Sequence, residues 1–200
     1  MTTDESRATA TVASPVGPLA ITRDGCSIVR VEWIRELPAE VIPANESSTP
    51  MAAPAAGVPT SEAPTEPRGS ASDDPADPLL SRALKQMRAY FDGSLHEFAL
   101  PVDFGKVSEV ARTVLTTLAD SVAHGETLTY GQLADRSGTG IPARAVGGIM
   151  GLNPIPIIVP CHRVVAGDGL GGYSGGRPGN GLPTKRWLLE WEEALPRPLF

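Results

Sequence analysis

The chain has 200 residues, 41% of them apolar, and a formal net charge of −6. That length allows one full domain or two small ones, and the charge excludes a strongly basic nucleic-acid grip. No apolar run approaches a membrane span, MTTDESRATA lacks the apolar core of a secretory signal, and two cysteines, Cys26 and Cys161, are too few for a disulfide framework. We therefore expect free thiols and a cytoplasmic α/β protein with no membrane partner.

The charge is uneven. Residues 38–78 hold seven acids (Glu40, Glu46, Glu62, Glu66, Asp73, Asp74, Asp77) and one base, Arg68, a net of −6, so the rest of the chain sums to zero. From Lys106 onward, nine bases face eight acids, a net of +1. That half is compatible with phosphate contacts.

Residues 8–35 carry three short strand patterns: ATATVA, Gly17 to Arg23, and SIVRVEWI. In the last, Val29, Val31 and Trp33 alternate with Arg30 and Glu32, as in a half-buried strand. Asp24-Gly25 marks a turn. Residues 38–78 hold nine of the 20 prolines and almost no large apolar residues. Such a segment cannot offset its ordering entropy, so it reads as a disordered surface insertion. Asp77 is an N-cap candidate with Pro78 at the first helical position. Leu80, Ala83, Leu84, Met87, Tyr90 and Phe91 then follow helical spacing, with Gly93 as a stop. A second helix is expected over about 108–118, with Val110, Val114 and Leu118 on one stripe.

Two short helices, Thr129 to Asp135 and Ala143 to Leu152, flank the turn Ser137-Gly138-Thr139-Gly140. The pattern suits a helix-turn-helix and equally suits plain helix packing. Residues 154–160, PIPIIVP, read as extended and apolar. Gly167 to Gly181 is a glycine-rich loop without a phosphate-binding signature. Thr184 is expected to cap a last helix bearing Trp187, Leu188 and Trp191.

Chemistry concentrates at Cys161. A cysteine after an apolar strand is commonly an inert core thiol. Against that, Pro160 stops strand pairing, and His162 and Arg163 supply positive charge that lowers a thiol's pKa. A flexible loop follows, which would leave the sulfur at a cleft. The residues alone leave both readings open. Two cysteines and three histidines (His96, His124, His162) lack the spacing of a zinc site, so no metal is expected.

The blocks TYGQLA, ARAVGGIM, NPIPIIVPCHRVV, GGYSGG and KRWLLEWE resemble, in order, those of the O6-alkylguanine-DNA alkyltransferases, also called methylated-DNA–protein-cysteine methyltransferases. SPVGPLAI and AYFDGSLHEFALPVDF resemble that family's N-terminal part. The resemblance implies an α/β (α+β) fold: a small N-terminal sheet-and-helix domain over 8–104, interrupted by 38–78, and a mainly helical domain over 105–195 with a helix-turn-helix and an active-site loop. It implies that Cys161 accepts the alkyl group irreversibly, with no cofactor and no separate methyl donor. His162 would act on Cys161 through a water, oriented by Glu192. In an extended segment adjacent side chains diverge, so direct Cys161–His162 contact is not expected. Asn153 would be a hinge. Tyr130 and Arg144 would turn the nucleotide out of the duplex, while Ala143, Gly147 and Gly148 would let the second helix sit in the minor groove. Met150, Pro156, Tyr173 and Ser174 would form the base pocket. The implied partner is double-stranded DNA carrying O6-alkylguanine, bound by a monomer, with O4-methylthymine as a second substrate. Two rival readings are a non-catalytic sensor of alkylated DNA, whose known forms lack the acceptor cysteine, and a cysteine hydrolase.

Overall fold

The computed structural model describes residues 7–34 and 76–195. The acidic, proline-rich stretch expected to be an insertion lies outside them, apart from Ala76, Asp77 and Pro78. The regular elements are β1 (Arg7–Val12), β2 (Leu19–Asp24), β3 (Ser27–Trp33), α1 (Pro78–Phe91), α2 (Glu109–Ser121), β4 (Leu128–Thr129), α3 (Tyr130–Ser137), α4 (Ala143–Gly151), β5 (Val164–Val165) and α5 (Gly181–Trp191).

Strands β1 to β3 form an antiparallel meander, with the expected Asp24-Gly25 turn between β2 and β3. The strict alternation expected along β3 fails at Val29. Thr22 pairs with Arg30 and Arg23 with Ile28, so Val29 is the extra residue of a bulge. Ile28 and Val31 are buried, while Val29 and Trp33 are only half-buried. The outer edge of β3 is closed rather than left as an open hydrogen-bonding row. Ile28 N donates to Pro101 O, Asp103 N donates to Ile28 O, and Val31 N donates to Pro154 O at 2.9 Å. The last bond fastens the N-terminal sheet to the segment that leads to Cys161.

Helix α1 forms as its spacing predicts. Asp77 Oδ1 accepts from Leu79 N and Leu80 N at 2.9 and 3.0 Å, and its other oxygen pairs with Arg23 of β2. Leu80, Ala83, Leu84, Met87 and Tyr90 are buried against β1 and β2, each large aliphatic among them contributing about 1.5–3 kcal/mol. Helix α2 is rotated from the expected stripe: Ala111, Val114, Leu115 and Leu118 are buried, whereas Val110 is 41% exposed.

The expected helix-turn-helix is α3 and α4. A reciprocal cap between Thr129 and Gln132 starts α3, and Gly138 ends it at φ 62, a conformation that favours glycine. Strands β4 and β5 pair in parallel, Leu128 with Val164 and Thr129 with Val165. The start of α3 is thus anchored three residues beyond Cys161. Helix α5 begins at Gly181, ahead of the expected Thr184 cap. Thr184 is buried inside the first turn, and no side chain caps the helix. Leu188 and Leu189 enter the core, while Trp187 and Trp191 stack at 5.4 Å beside Phe91. Among the described residues, no helix is long and apolar enough to cross a membrane.

Replacing Asp77 with Ala removes a cap and its ion pair to Arg23, and is expected to cost about 1–2 kcal/mol. Thermal unfolding should show the melting point lowered by several degrees, and an unchanged melting point contradicts this role.

Candidate active site around Cys161

The path to the cysteine is not the extended strand expected from sequence. Pro154, Pro156 and Pro160 lack the N–H groups a ladder needs, and the chain folds into a compact loop instead. Val159 N donates to Ile155 O at 2.9 Å. Asn153 sits inside this loop, its Nδ2 donating to Val159 O at 2.8 Å and its Oδ1 accepting from Ile155 N at 3.0 Å. Between those ties Ile157 is held at φ 74, a region that β-branched residues rarely occupy. Asn153 therefore links the end of α4 to a strained turn that sets where Cys161 emerges.

Residues Cys161–Arg163 form a single 3-10 turn. Successive side chains on such a turn diverge by about a third of a turn. That geometry, rather than the expected extended backbone, sends Cys161 and His162 to different surroundings. Cys161 is 5% exposed and lines a cavity of about 520 Å³ together with Tyr130, Ala143, Arg144, Gly147, Met150, Gly151, Gly172, Tyr173 and Ser174. A smaller cavity of about 250 Å³ shares Met150, Gly151, Cys161 and Ser174, and extends to Asn153, Pro156 and Val31, Glu32 and Trp33 of β3. A larger one of about 630 Å³ lies beyond Arg163, among His96, His124 and Asp120, and does not reach the sulfur.

Behind the cysteine lies a fully buried carboxylate, Glu192. Its Oε1 accepts from Tyr90 Oη at 2.7 Å, from His162 Nε2 at 2.9 Å and from Arg163 Nη2 at 3.0 Å, and its Oε2 accepts from Arg163 Nε at 2.8 Å. Burial pushes this carboxyl up, but His162 and Arg163 together outweigh it and hold it well below the usual carboxylate range. Burial pushes His162 below its ordinary value of 6.5, with Glu192 opposing. The arrangement at neutral pH is an anionic Glu192 balanced by Arg163, with a neutral imidazole donating from Nε2. That tautomer leaves a lone pair on Nδ1, which is buried and has no hydrogen-bond partner among the described residues.

The expectation that His162 and Arg163 depress the Cys161 thiol is corrected by this geometry, because both are engaged by Glu192. Burial pushes the thiol up, opposed by a hydrogen bond with Asn153, the Lys185 ammonium and nearby backbone N–H groups. Lys185 is fully buried, donates to Val164 O at 2.6 Å and Gly172 O at 3.0 Å, and lies 5.8 Å over the Tyr130 ring. Burial brings it down to about 8, with Cys161 opposing.

The expected site residues separate into layers. Cys161, Met150, Tyr173 and Ser174 line the main cavity with Tyr130, Arg144, Ala143 and Gly147. Pro156 and Asn153 lie in the smaller one, and His162 and Glu192 stand behind the sulfur. Tyr130 Oη donates to Gly172 O at 3.3 Å. Ala143, Arg144 and Gly148 are exposed on the outer face of α4. Sequence reasoning missed three participants. In the sequence Tyr90 reads as one position of a helical stripe, Arg163 as a charge near the thiol, and Lys185 carries no assignment. Arg163, directly before Val164 and Val165, offered a signal; Lys185, between Thr184 and Arg186, offered none.

Residues 8–104 match the profile of the ribonuclease-like domain of 6-O-methylguanine DNA methyltransferase, and residues 109–194 that of its DNA binding domain. The chain belongs to the 6-O-methylguanine DNA methyltransferase family. A methylated-DNA–protein-cysteine methyltransferase of Mycobacterium bovis is 35% identical over 92% of this chain and 91% of its own. The crystal structure of a Mycobacterium tuberculosis O6-methylguanine methyltransferase superposes with a TM-score of 0.65 at 29% identity, covering 96% of both chains. A Mycobacterium tuberculosis OGT in complex with DNA gives 0.64 at 32% identity, over 92% of this chain and 91% of that one. In this methyltransferase-family chain, no three His, Cys, Asp or Glu side chains among the described residues gather as a metal site.

Arg163→Met leaves Glu192 without its balancing charge and is expected to cost about 3–5 kcal/mol. Adding Glu192→Gln should recover part of that loss in urea unfolding, and strictly additive losses would refute the pairing. Because His162 is held below 6.5 when folded, the unfolded chain takes up its proton first as the pH falls. The His162 contribution to stability is therefore full above about pH 6.5 and declines below it. His124, also lowered by burial, acts with the same sign, and Glu192 adds a second loss below its ordinary 4.5. The urea midpoint should drop between about pH 7 and pH 5; a flat profile contradicts the assignment.

Proposed function

We propose that this protein repairs DNA by moving the alkyl group of O6-alkylguanine onto Cys161, once and irreversibly. The observation that carries this reading is a cysteine sulfur at the floor of a cleft, with a small-residue helix face at its mouth and a His162–Glu192 pair behind it. The sensor reading fits less well, because the acceptor cysteine is present and opens to the cleft.

The buried thiol rests in its neutral form, so a base must take its proton when substrate arrives. His162 Nδ1, with its free lone pair, fills that role through a bridging water, and Glu192 steadies the imidazole as it gains charge. The sulfur electron pair then forms an S–C bond as the C–O6 bond breaks. The guanine keeps that electron pair and regains a proton. The thioether is stable, so the protein is consumed; no cofactor and no separate methyl donor enter. Lys185 and Asn153 stabilise the developing thiolate.

O6 of guanine is out of reach inside the duplex, so the nucleotide must be turned out. Tyr130 presses the backbone from the rim of the cleft, and Arg144 fills the gap left in the stack. Ala143, Gly147 and Gly148 give α4 a low profile in the minor groove. The glycines at 148 and 151 support this: a Cβ at either would meet nothing within 4 Å, yet glycine costs a helix up to about 1 kcal/mol relative to alanine. Internal packing does not call for them. A close external surface would account for Gly148, inside the helix. The flipped base sits among Met150, Pro156, Tyr173 and Ser174. The near-neutral C-terminal half implies few phosphate contacts and a shallow salt dependence. The reading places the protein in the cytoplasm as a monomer acting on duplex DNA, with O4-methylthymine as a secondary substrate and a division at residues 104 and 105 between its two domains.

Intact-mass measurement after mixing with an O6-methylguanine duplex should show one methyl gained per chain, mapped to Cys161, and Cys161→Ala should gain none while still binding DNA. Catalytic turnover would point to a hydrolase, binding without a mass change to a sensor, and either defeats the proposal.

A further inference from the structure

A carboxylate has about four sites for donors, two on each oxygen. The donors to Glu192 are not shared evenly. Oε2 accepts from Arg163 Nε, whereas Oε1 accepts from Tyr90 Oη at 2.7 Å, His162 Nε2 at 2.9 Å and Arg163 Nη2 at 3.0 Å. His162 and Arg163 by themselves fill the two sites of Oε1. The Tyr90 hydroxyl is therefore surplus to satisfying that oxygen, yet it makes the shortest of the three contacts. It draws charge from the atom that holds the imidazole.

Packing does not call for the hydroxyl either. Tyr90 is fully buried, with ring centroids 5.0 Å from Phe91 and 5.5 Å from Phe98, and it stands edge-on to His124 at 6.3 Å. A phenylalanine would fill the same space. A buried hydroxyl costs free energy unless it is bonded. The residue is also gripped at its backbone, where Tyr90 O accepts from Trp191 Nε1 at 3.1 Å. Trp191 and Glu192 thus hold Tyr90 at both ends, which fixes the reach of its hydroxyl to Oε1. Burial and Glu192 push the phenol well above its ordinary value of 10, so it keeps its proton and donates throughout.

We propose that Tyr90 is a positioning residue for the transfer: its hydroxyl takes up part of the charge on Glu192 Oε1 and so keeps His162 neutral, with Nδ1 free to receive the Cys161 proton. The inference rests on the alkyl-transfer reading above and adds a control on its base. The groups that face His162 are Glu192 and Lys185 from α5, Arg163 and Cys161 from its own turn, His124 from beyond α2, and Tyr90 through Glu192. With the thiol neutral, Glu192 is the one negative charge in this set, and it favours the protonated ring against Arg163 and Lys185. Without the Tyr90 hydroxyl, Oε1 pulls harder on the Nε2 proton. The ring then takes up a second proton at higher pH, and a protonated ring cannot accept one from the thiol.

The test follows single-turnover methyl transfer from an O6-methylguanine duplex, read by intact mass in the full chain, across about pH 5 to 8. In Tyr90→Phe the acid limb should move to higher pH by about one unit, the effect of one lost charge-assisted hydrogen bond. At the acid end its rate should fall about tenfold relative to wild type. 3-Fluorotyrosine placed at position 90, a stronger donor of nearly the same shape, should move the limb the opposite way. A limb that stays in place while the plateau drops, as a packing defect gives, overturns the proposal. A limb moved to lower pH in Tyr90→Phe overturns it as well. Should Tyr90→Phe not fold, the fluorotyrosine chain decides, and an unmoved limb there counts against the role. NMR titration of the His162 ring needs no DNA and should show the same displacement. Wild-type protein that gains no methyl brings down the transfer reading and this role with it, whereas methyl gain with an unchanged His162 titration in Tyr90→Phe removes the role alone.

Discussion

One buried carboxylate organises the molecule. Glu192 has no solvent to share its charge, so its oxygens must be met by protein donors. Tyr90 comes from α1, His162 and Arg163 from the turn at Cys161, and Glu192 itself stands at the end of α5. A chain that mispacked α1, α5 or the cysteine turn would leave a naked charge in its interior. The same constraint that penalises misfolding fixes the imidazole's orientation and tautomer. Stability and chemistry therefore depend on the same four side chains.

A second set of ties fixes the sulfur from the other side. Strand β3 holds Pro154 through Val31, Asn153 closes the loop over Ile157, and the β4–β5 pair anchors α3 just past Arg163. Each is a short-range hydrogen bond, yet together they couple the sheet, the helix-turn-helix and the reactive turn. Asn153, just past the end of α4, is hydrogen-bonded into the loop that leads to Cys161. The N-terminal half contributes Tyr90 to the Glu192 cluster, and Val31 and Trp33 to the lining of the smaller cavity that Cys161 shares.

Much of this was legible in the chain itself. The spacing of Leu80, Ala83, Leu84 and Met87 specifies a helix on one buried face, and Asp77-Pro78 specifies its start, because both are local rules. The five blocks from TYGQLA to KRWLLEWE identify the family and bring Cys161, Tyr130, Arg144 and Asn153 to one region. What escaped depends on tertiary pairing. The bulge at Val29 exists only relative to the register of β2. The loop over 154–160 reads as a strand by hydropathy, and its three missing N–H groups show why it is not. Arg163 reads as a positive neighbour of the thiol, but its guanidinium turns to a carboxylate 29 residues away in sequence. Charge near a cysteine in sequence is not charge near its sulfur in space.

That last correction changes how the reactivity should be understood. A permanently ionised Cys161 would be open to oxidants and stray electrophiles, and a protein used once cannot recover from such losses. Burial, which pushes the thiol up, keeps the sulfur quiet in the resting state. The same burial makes the proton difficult to release, so the protein needs a base held ready beside it. In the proposed mechanism His162 is that base; its Nε2 is occupied by Glu192 and its Nδ1 has no hydrogen-bond partner among the described residues. The protected thiol and the oriented imidazole belong to one arrangement: a buried sulfur kept neutral at rest, and a buried ring whose orientation Glu192 fixes.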